Sequence, residues 1–235
     1  MHLSVADGKG VRARGLSHAF PGTGMLFADL DLDLRPGELV AVVGPSGSGK
    51  STLLSILAGW VTPTRGRIER RHIHTVGWVF QNPYGVPRRT ALDHVVLPLL
   101  ARGLTRAAAE EQAWDLLRRF GLDAVGERPF RDLSGGEAQR LMLARAVATA
   151  ADLLLVDEPT AQLDRATAAT VNRVLAGLAQ DDTIVVVATH DPHTRDACTR
   201  VVDLTHYQAT GATRDPATGP THDPATGEHP GGATR

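Results

Sequence analysis

GPSGSGKST, residues 44–52, satisfies the pattern G-x-x-x-x-G-K-[ST], and its flanks decide the fold. Upstream, ELVAVVG (38–44) is a short unbroken apolar run, the mark of a strand buried on both faces of a parallel sheet. Downstream, STLLSILAG reads as a helix. A strand, a glycine-rich loop and a helix in that order make a phosphate cradle, because the glycines let successive backbone N–H groups converge on phosphate oxygens. Lys50 adds a mobile positive charge for the β- and γ-phosphates, and the Ser51 hydroxyl is suited to ligating Mg²⁺. Gly44, Pro45, Ser46, Gly47, Ser48, Gly49, Lys50, Ser51 and Thr52 are therefore the candidate cofactor-binding loop, with a phosphate chain and Mg²⁺ as the expected ligands. A plain glycine-rich turn with an exposed lysine leaves the flanking elements unexplained.

Two further apolar runs, DLLLVDEP (152–159) and TIVVVATH (183–190), read as strands of the same sheet. The first delivers Asp157 and Glu158 to the C-terminal end of a strand, where ligands collect in an open α/β sheet. Adjacent strand residues point opposite ways, so the pair suits two jobs: Asp157 holding the Mg²⁺ shell, Glu158 polarising an attacking water. LFADLDLDLRPGE is different, with Leu30, Leu32 and Leu34 alternating against Asp29, Asp31 and Asp33, as in a half-exposed antiparallel strand. The fold class expected is an α/β P-loop NTPase core with a mostly parallel sheet, an N-terminal antiparallel β part and an inserted helical subdomain.

That subdomain spans about 84–133. LDHVVLPLLARG carries Leu92, Val95, Val96 and Leu99 at helical spacing, with a kink expected at Pro98. TRAAAEEQAWDLLRRFG sets Ala113, Trp114, Leu117 and Phe120 on one stripe before a stop at Gly121. LSGGEAQR (133–140) starts another helix: Ser134 can cap it, and Glu137 can close a capping box around Gly135 and Gly136. Asp164 caps a helix striped with Ala168, Val171, Val174, Leu175 and Leu178. His72 and His74 alternate on an expected strand and read as surface residues rather than a metal site. From Gln208 onward there is no Leu, Ile, Val or aromatic residue, and DPATG occurs at 215–219 and 223–227. Such a segment is expected to be a solvated tail, so the domain is taken as 1–207 and the tail as 208–235.

Composition narrows the function classes. Net charge is −1 with no basic run, which argues against a nucleic-acid surface. One cysteine, Cys198, cannot form an internal disulfide or a zinc cluster. No apolar run approaches the ~18 residues of a membrane span.

Together GPSGSGKST, VFQNP, LSGGEAQR, LLLVDEPTAQLD and VVVATHD, in that order, resemble the nucleotide-binding domain of an ABC transporter, over about Phe20 to Leu204. TALDHVVLPLLARGLTRAAA is similar to the macrolide-exporter and lipoprotein-release group. The segment 59–81 is shorter than that group's usual antiparallel hairpin and following helix. The resemblance implies an ATPase in which Glu158, His190 and Gln81 are catalytic and Ser51, Gln81 and Asp157 serve the metal. It places Phe20 on the adenine and Asp164 at a dimer interface. It gives Ser134, Gly135, Gly136 and Glu137 to the γ-phosphate of an ATP held by another subunit. Taken singly, a glutamine or histidine after a strand is ordinarily solvated or structural; position within the ordered set gives these two a role. The implied partners are a homodimeric or heterodimeric sister cassette and an integral membrane permease met through NPYGVP (82–87), at the cytoplasmic face of the cell membrane. A soluble ABC-type ATPase acting on nucleic acid or ribosomes is the alternative. A small-molecule P-loop kinase leaves LSGGEAQR and His190 without a job.

Overall fold

The computed structural model describes residues 8–161, 163–180 and 182–208; the expected tail lies outside the described residues from 209 onward. Two sheets share one hydrophobic interior. The first is antiparallel, in the order β2-β1-β4: β1 (Gly10–Ala19), β2 (Met25–Leu34) and β4 (Arg65–Arg71). The second is wholly parallel, in the order β5-β6-β7-β3-β8: β3 (Leu39–Val43), β5 (Val76–Val79), β6 (Leu153–Asp157), β7 (Ile184–Ala188) and β8 (Arg200–Asp203).

The unbroken apolar runs have a direct cause. Val40, Val42, Leu153, Leu155 and Val186 pack toward α1 (Lys50–Ala58) and the antiparallel sheet. Their neighbours Leu39, Leu154, Val156, Val185 and Val187 pack toward a helical layer on the other side. With both faces covered, every residue of β6 and β7 is buried, and a polar face would have no water to meet.

That helical layer comprises α2 (Ala91–Ala101), α3 (Arg106–Arg119), α4 (Gly135–Thr149) and α5 (Arg165–Gln180), with the short α6 (Pro192–Asp196) beyond it. Thr90 and Thr105 cap α2 and α3, each hydroxyl accepting an N–H three residues on. Pro98 lies inside α2, where its missing N–H forfeits one rung of the ladder, and the helix runs on past it to Ala101. On α3 the expected stripe is the buried one: Ala113 and Leu117, with Phe120 just past the helix end, are joined in the core by Ala109 and Leu116. Trp114 is half-buried at its edge and covers Gly126, where a Cβ would meet its ring at 2.4 Å.

Between Gly59 and Gln81 the chain makes one strand, β4, then passes straight to β5, with neither a hairpin nor a helix. His72 and His74 fall in the link between these strands rather than on one. His72 has φ +51, which ends the extended run. Trp60, just past α1, stacks on Trp78 of β5 with ring centroids 4.5 Å apart.

Candidate nucleotide site

Three glycines set the phosphate loop. At Gly44, leaving β3, a Cβ would lie 2.6 Å from Ser48 Oγ. Gly47 and Gly49 have φ +78 and +94, a region that side chains other than glycine enter at a cost. α1 then starts with no side-chain cap and no acid in its first turn, so its free N–H groups and positive end are left open to an anion. Lys50 Nζ folds back over the loop, donating to the carbonyls of Gly44 at 2.9 Å and Pro45 at 3.3 Å.

A cavity of about 670 Å³ opens on this loop. Gly44, Pro45, Ser46, Gly47, Gly49, Lys50, Ser51 and Thr52 line it from one side. Gln81, Asp157, Glu158 and His190 line it from the other, with Phe20 also on its wall. Ser48 is not on that wall. Its N–H donates to the Pro45 carbonyl at 3.1 Å, and its buried hydroxyl sits behind Gly44. The loop uses this serine to hold its own turn.

The two carboxylates do not diverge as a continued strand would make them. β6 ends at Asp157, and Glu158 takes φ +48 while donating its N–H to the Ala188 carbonyl at 2.9 Å. That left-handed step turns both acids into the same cavity, which corrects the expectation from strand alternation. A non-glycine residue held there stores strain where the surrounding structure enforces it. Burial raises the Asp157 pKa above the usual carboxylate value, and Glu158 adds to this, while a hydrogen bond from Ser51 and the charge of Lys50 oppose it. Glu158 Oε1 lies 2.8 Å from His190 Nδ1, and Oε2 accepts the His190 N–H at 3.3 Å.

The remaining predicted residues lie elsewhere. Ser134 and Glu137 form the full capping box of α4: Ser134 Oγ accepts the Glu137 N–H at 3.3 Å, and Glu137 Oε2 accepts the Ser134 N–H at 2.7 Å. That backbone hydrogen bond holds the Glu137 carboxyl below its ordinary pKa. With Gly135 and Gly136 they stand outside the cavity. Asp164 is also outside it and caps α5, accepting from the N–H groups of Ala166 and Thr167, both at 3.0 Å.

The ABC transporter family model matches residues 27–161, more than half of the sequence. The chain belongs to the ABC transporter family. An uncharacterized ABC transporter ATP-binding protein of Mycobacterium tuberculosis is 43% identical over 197 residues, covering 77% of this chain. The match takes in only 59% of that relative's length. The lipoprotein-releasing system ATP-binding protein LolD of Chromohalobacter salexigens is 41% identical over 69% of this chain and 76% of its own. Among solved structures, a dimeric ATP-binding cassette in a post-hydrolysis state bound to ADP and Pi aligns with a TM-score of 0.74. It is 29% identical, and the alignment covers 82% of this chain and 93% of that one.

The chain thus carries an ABC ATPase domain, and its cavity fits the ligands that implies. An uncapped helix start and a glycine cradle accept phosphates; a buried carboxylate hydrogen-bonded to the Ser51 hydroxyl is a hard-oxygen donor set for Mg²⁺. Sequence reading missed several parts of this cassette. Leu26 shares the cavity wall with Phe20. Gln139, buried on α4, donates to the Phe80 carbonyl at 3.4 Å and so ties that helix to the residue before Gln81. Asp191 accepts from Thr160 and Thr194 behind His190. The β2 alternation would send Leu26 to the core face with Leu30, but the left-handed turn at Asp29 (φ +54) reverses the phase, burying Phe27 and leaving Leu26 to the cavity. Gln139 carries no local signal, since its partner is a backbone atom far away in sequence.

Proposed function

We propose that this chain is the ATP-binding and hydrolysing subunit of an ABC transporter. In this reading two cassettes, two copies or one copy with a sister, close head to tail around two ATP molecules. Closure drives a separate integral membrane permease from the cytoplasmic face, for efflux or for release of lipoproteins or lipids. One observation carries it: the phosphate loop, Gln81, Asp157, Glu158 and His190 share a cavity that the Ser134–Glu137 helix start does not reach. A bound ATP is therefore held on one side only, and the α4 start, with Gly135 and Gly136 carrying no side chains, is left for the ATP of another chain. LolD and MacB are named as transporter components, MacB of Rhodopseudomonas palustris as an ATP-binding/permease protein, which supports a permease partner. Among the described residues no helix is long and apolar enough to cross a membrane.

The residues divide the work. Phe20 offers its ring face to adenine; Lys50 and the loop N–H groups hold the phosphates. Ser51 and Asp157, with Gln81, would hold Mg²⁺, which would supply positive charge against the phosphate oxygens. Glu158 orients and polarises the attacking water, and His190, fixed by its bond to Glu158, faces the γ-phosphate. Once the γ-phosphate is cleaved its bridge to Ser134 and Gly136 of the other chain is gone, and the dimer opens. The Asn82–Pro87 segment and the helical region at 84–133 carry that motion to the permease.

Light scattering of purified Glu158→Gln protein at millimolar ATP tests this. Dimers that form with ATP and persist without turnover support it. A protein that stays monomeric rules out the homodimer and leaves only pairing with a sister cassette.

A further inference from the structure

His94 is buried on α2, and both of its ring nitrogens are engaged. Nδ1 lies 2.7 Å from the Thr90 carbonyl, while Nε2 accepts the Val86 N–H at 2.9 Å. A carbonyl only accepts, so Nδ1 carries the proton and Nε2 must be bare: the ring is neutral and in one tautomer. Phe130 lies against it with centroids 5.4 Å apart. Gly85 fits beneath, where a Cβ would come within 2.5 Å of the Phe130 ring and 2.8 Å of His94 Nε2. From the far side, the N–H of Arg131 donates to Pro87 at 3.1 Å and that of Phe130 to Arg89 at 2.8 Å. The stretch that follows Gln81 is thus clamped to the helical region, and His94 is the one titratable side chain in the clamp's hydrogen bonds.

We propose that His94 is a positioning residue: as the neutral imidazole it holds Asn82–Pro87, and through it Gln81, in place against α2, and on protonation it lets that segment go. The inference deepens the function proposed above, since it rests on that segment being the coupling element. The chemistry is a reversal of roles. Adding a proton makes Nε2 a donor, and it then faces the Val86 N–H, another donor, with no acceptor between them. Burial lowers the His94 pKa below 6.5; the Thr90 carbonyl opposes this, Arg145 from α4 and Arg89 from the clamped stretch reinforce it, and Asp93 on α2 opposes it. Because the folded value is depressed, the clamp's contribution to stability is whole above the unfolded value of 6.5. It is lost as pH falls through the folded one.

Exchange of the Val86 amide, followed by NMR on the full chain and referred to intrinsic rates at each pH, tests this without ATP or a membrane partner. From pH 8 down to the lowest pH at which the Leu155 amide in β6 stays protected, its protection should fall roughly tenfold, the loss of one buried hydrogen bond. His94→Gln supplies an acceptor that does not titrate, so protection should persist at both pH values. His94→Leu supplies none, so protection should be low at both, with Leu155 reporting that the core is folded. In ATP turnover at pH 8, His94→Leu should lower kcat roughly tenfold with KM unchanged, and His94→Gln should restore it. Equal Val86 protection at both pH values in the unmodified protein overturns the clamp, as does a glutamine variant that loses protection in step with it. An unchanged kcat in His94→Leu overturns the positioning role. Absence of turnover in the unmodified protein counts against the proposed function, and the exchange result then still decides the clamp.

Discussion

Two helices of this cassette, α1 and α4, begin beside serines and glycines, and they begin in opposite ways. α1 has Gly49 at its cap position, no side chain accepting its N–H groups and no acid in its first turn. α4 has both hydrogen bonds of a capping box and an acid against its positive end. A good cap is worth about 1 kcal/mol, so α1 forgoes stability that α4 keeps. The difference separates a site built to be filled from one that is finished in the lone chain. At α1 the missing partner is a phosphate; at α4 the backbone is at rest, and an anion that reaches it meets Gly135 and Gly136 without side chains in the way.

The same contrast runs through the carboxylates. Asp157 is buried, its pKa raised by that burial, whereas Glu137 is held low by the backbone it caps. Asp157→Asn should break the comparison most. Because the folded pKa of Asp157 is raised, its ionised form costs stability, a cost absent below 3.8 and present in full once pH exceeds the folded value. At neutral pH the asparagine variant should therefore melt higher than the unmodified protein in the absence of nucleotide. It should at the same time lose Mg²⁺-dependent ATP turnover by about a hundredfold or more. A variant that melts lower and still turns over ATP would reverse the assignment. Ser134→Ala is the smaller change and sharpens the other side. It should cost about 1 kcal/mol in denaturant unfolding and also weaken ATP-driven dimerisation of Glu158→Gln protein. A loss of stability with dimerisation untouched would make the cap purely structural.

Much of this was legible in the sequence because it is local. The buried strands announce themselves as continuous apolar runs, the phosphate loop by spacing, and the α4 cap by Ser134 and Glu137 three residues apart. β4 was not legible: RGRIERR has charge on both faces, since Arg70 turns inward to donate to the carbonyls of Ile56 and Leu57 at the end of α1. The turn of Glu158 into the cavity was hidden too, because it depends on the neighbouring strand offering the Ala188 carbonyl. His94 has no local signal within LDHVVLPLLARG, and only the return of the chain at Val86 gives its Nε2 a partner. What escaped is what tertiary approach decides, and it lies next to the site.

The central claim is that one chain's α1 and another's α4 enclose a single ATP. Disulfide trapping asks this directly: Ser46→Cys chains and Gly135→Cys chains, each also carrying Glu158→Gln and Cys198→Ser, are mixed with ATP under mild oxidation. A cross-linked dimer that forms in the mixture, requires ATP and fails to form with either variant alone is the predicted result. ATP-dependent cross-linking of Ser46→Cys chains to one another, or none in the mixture while dimers are present by light scattering, would contradict it.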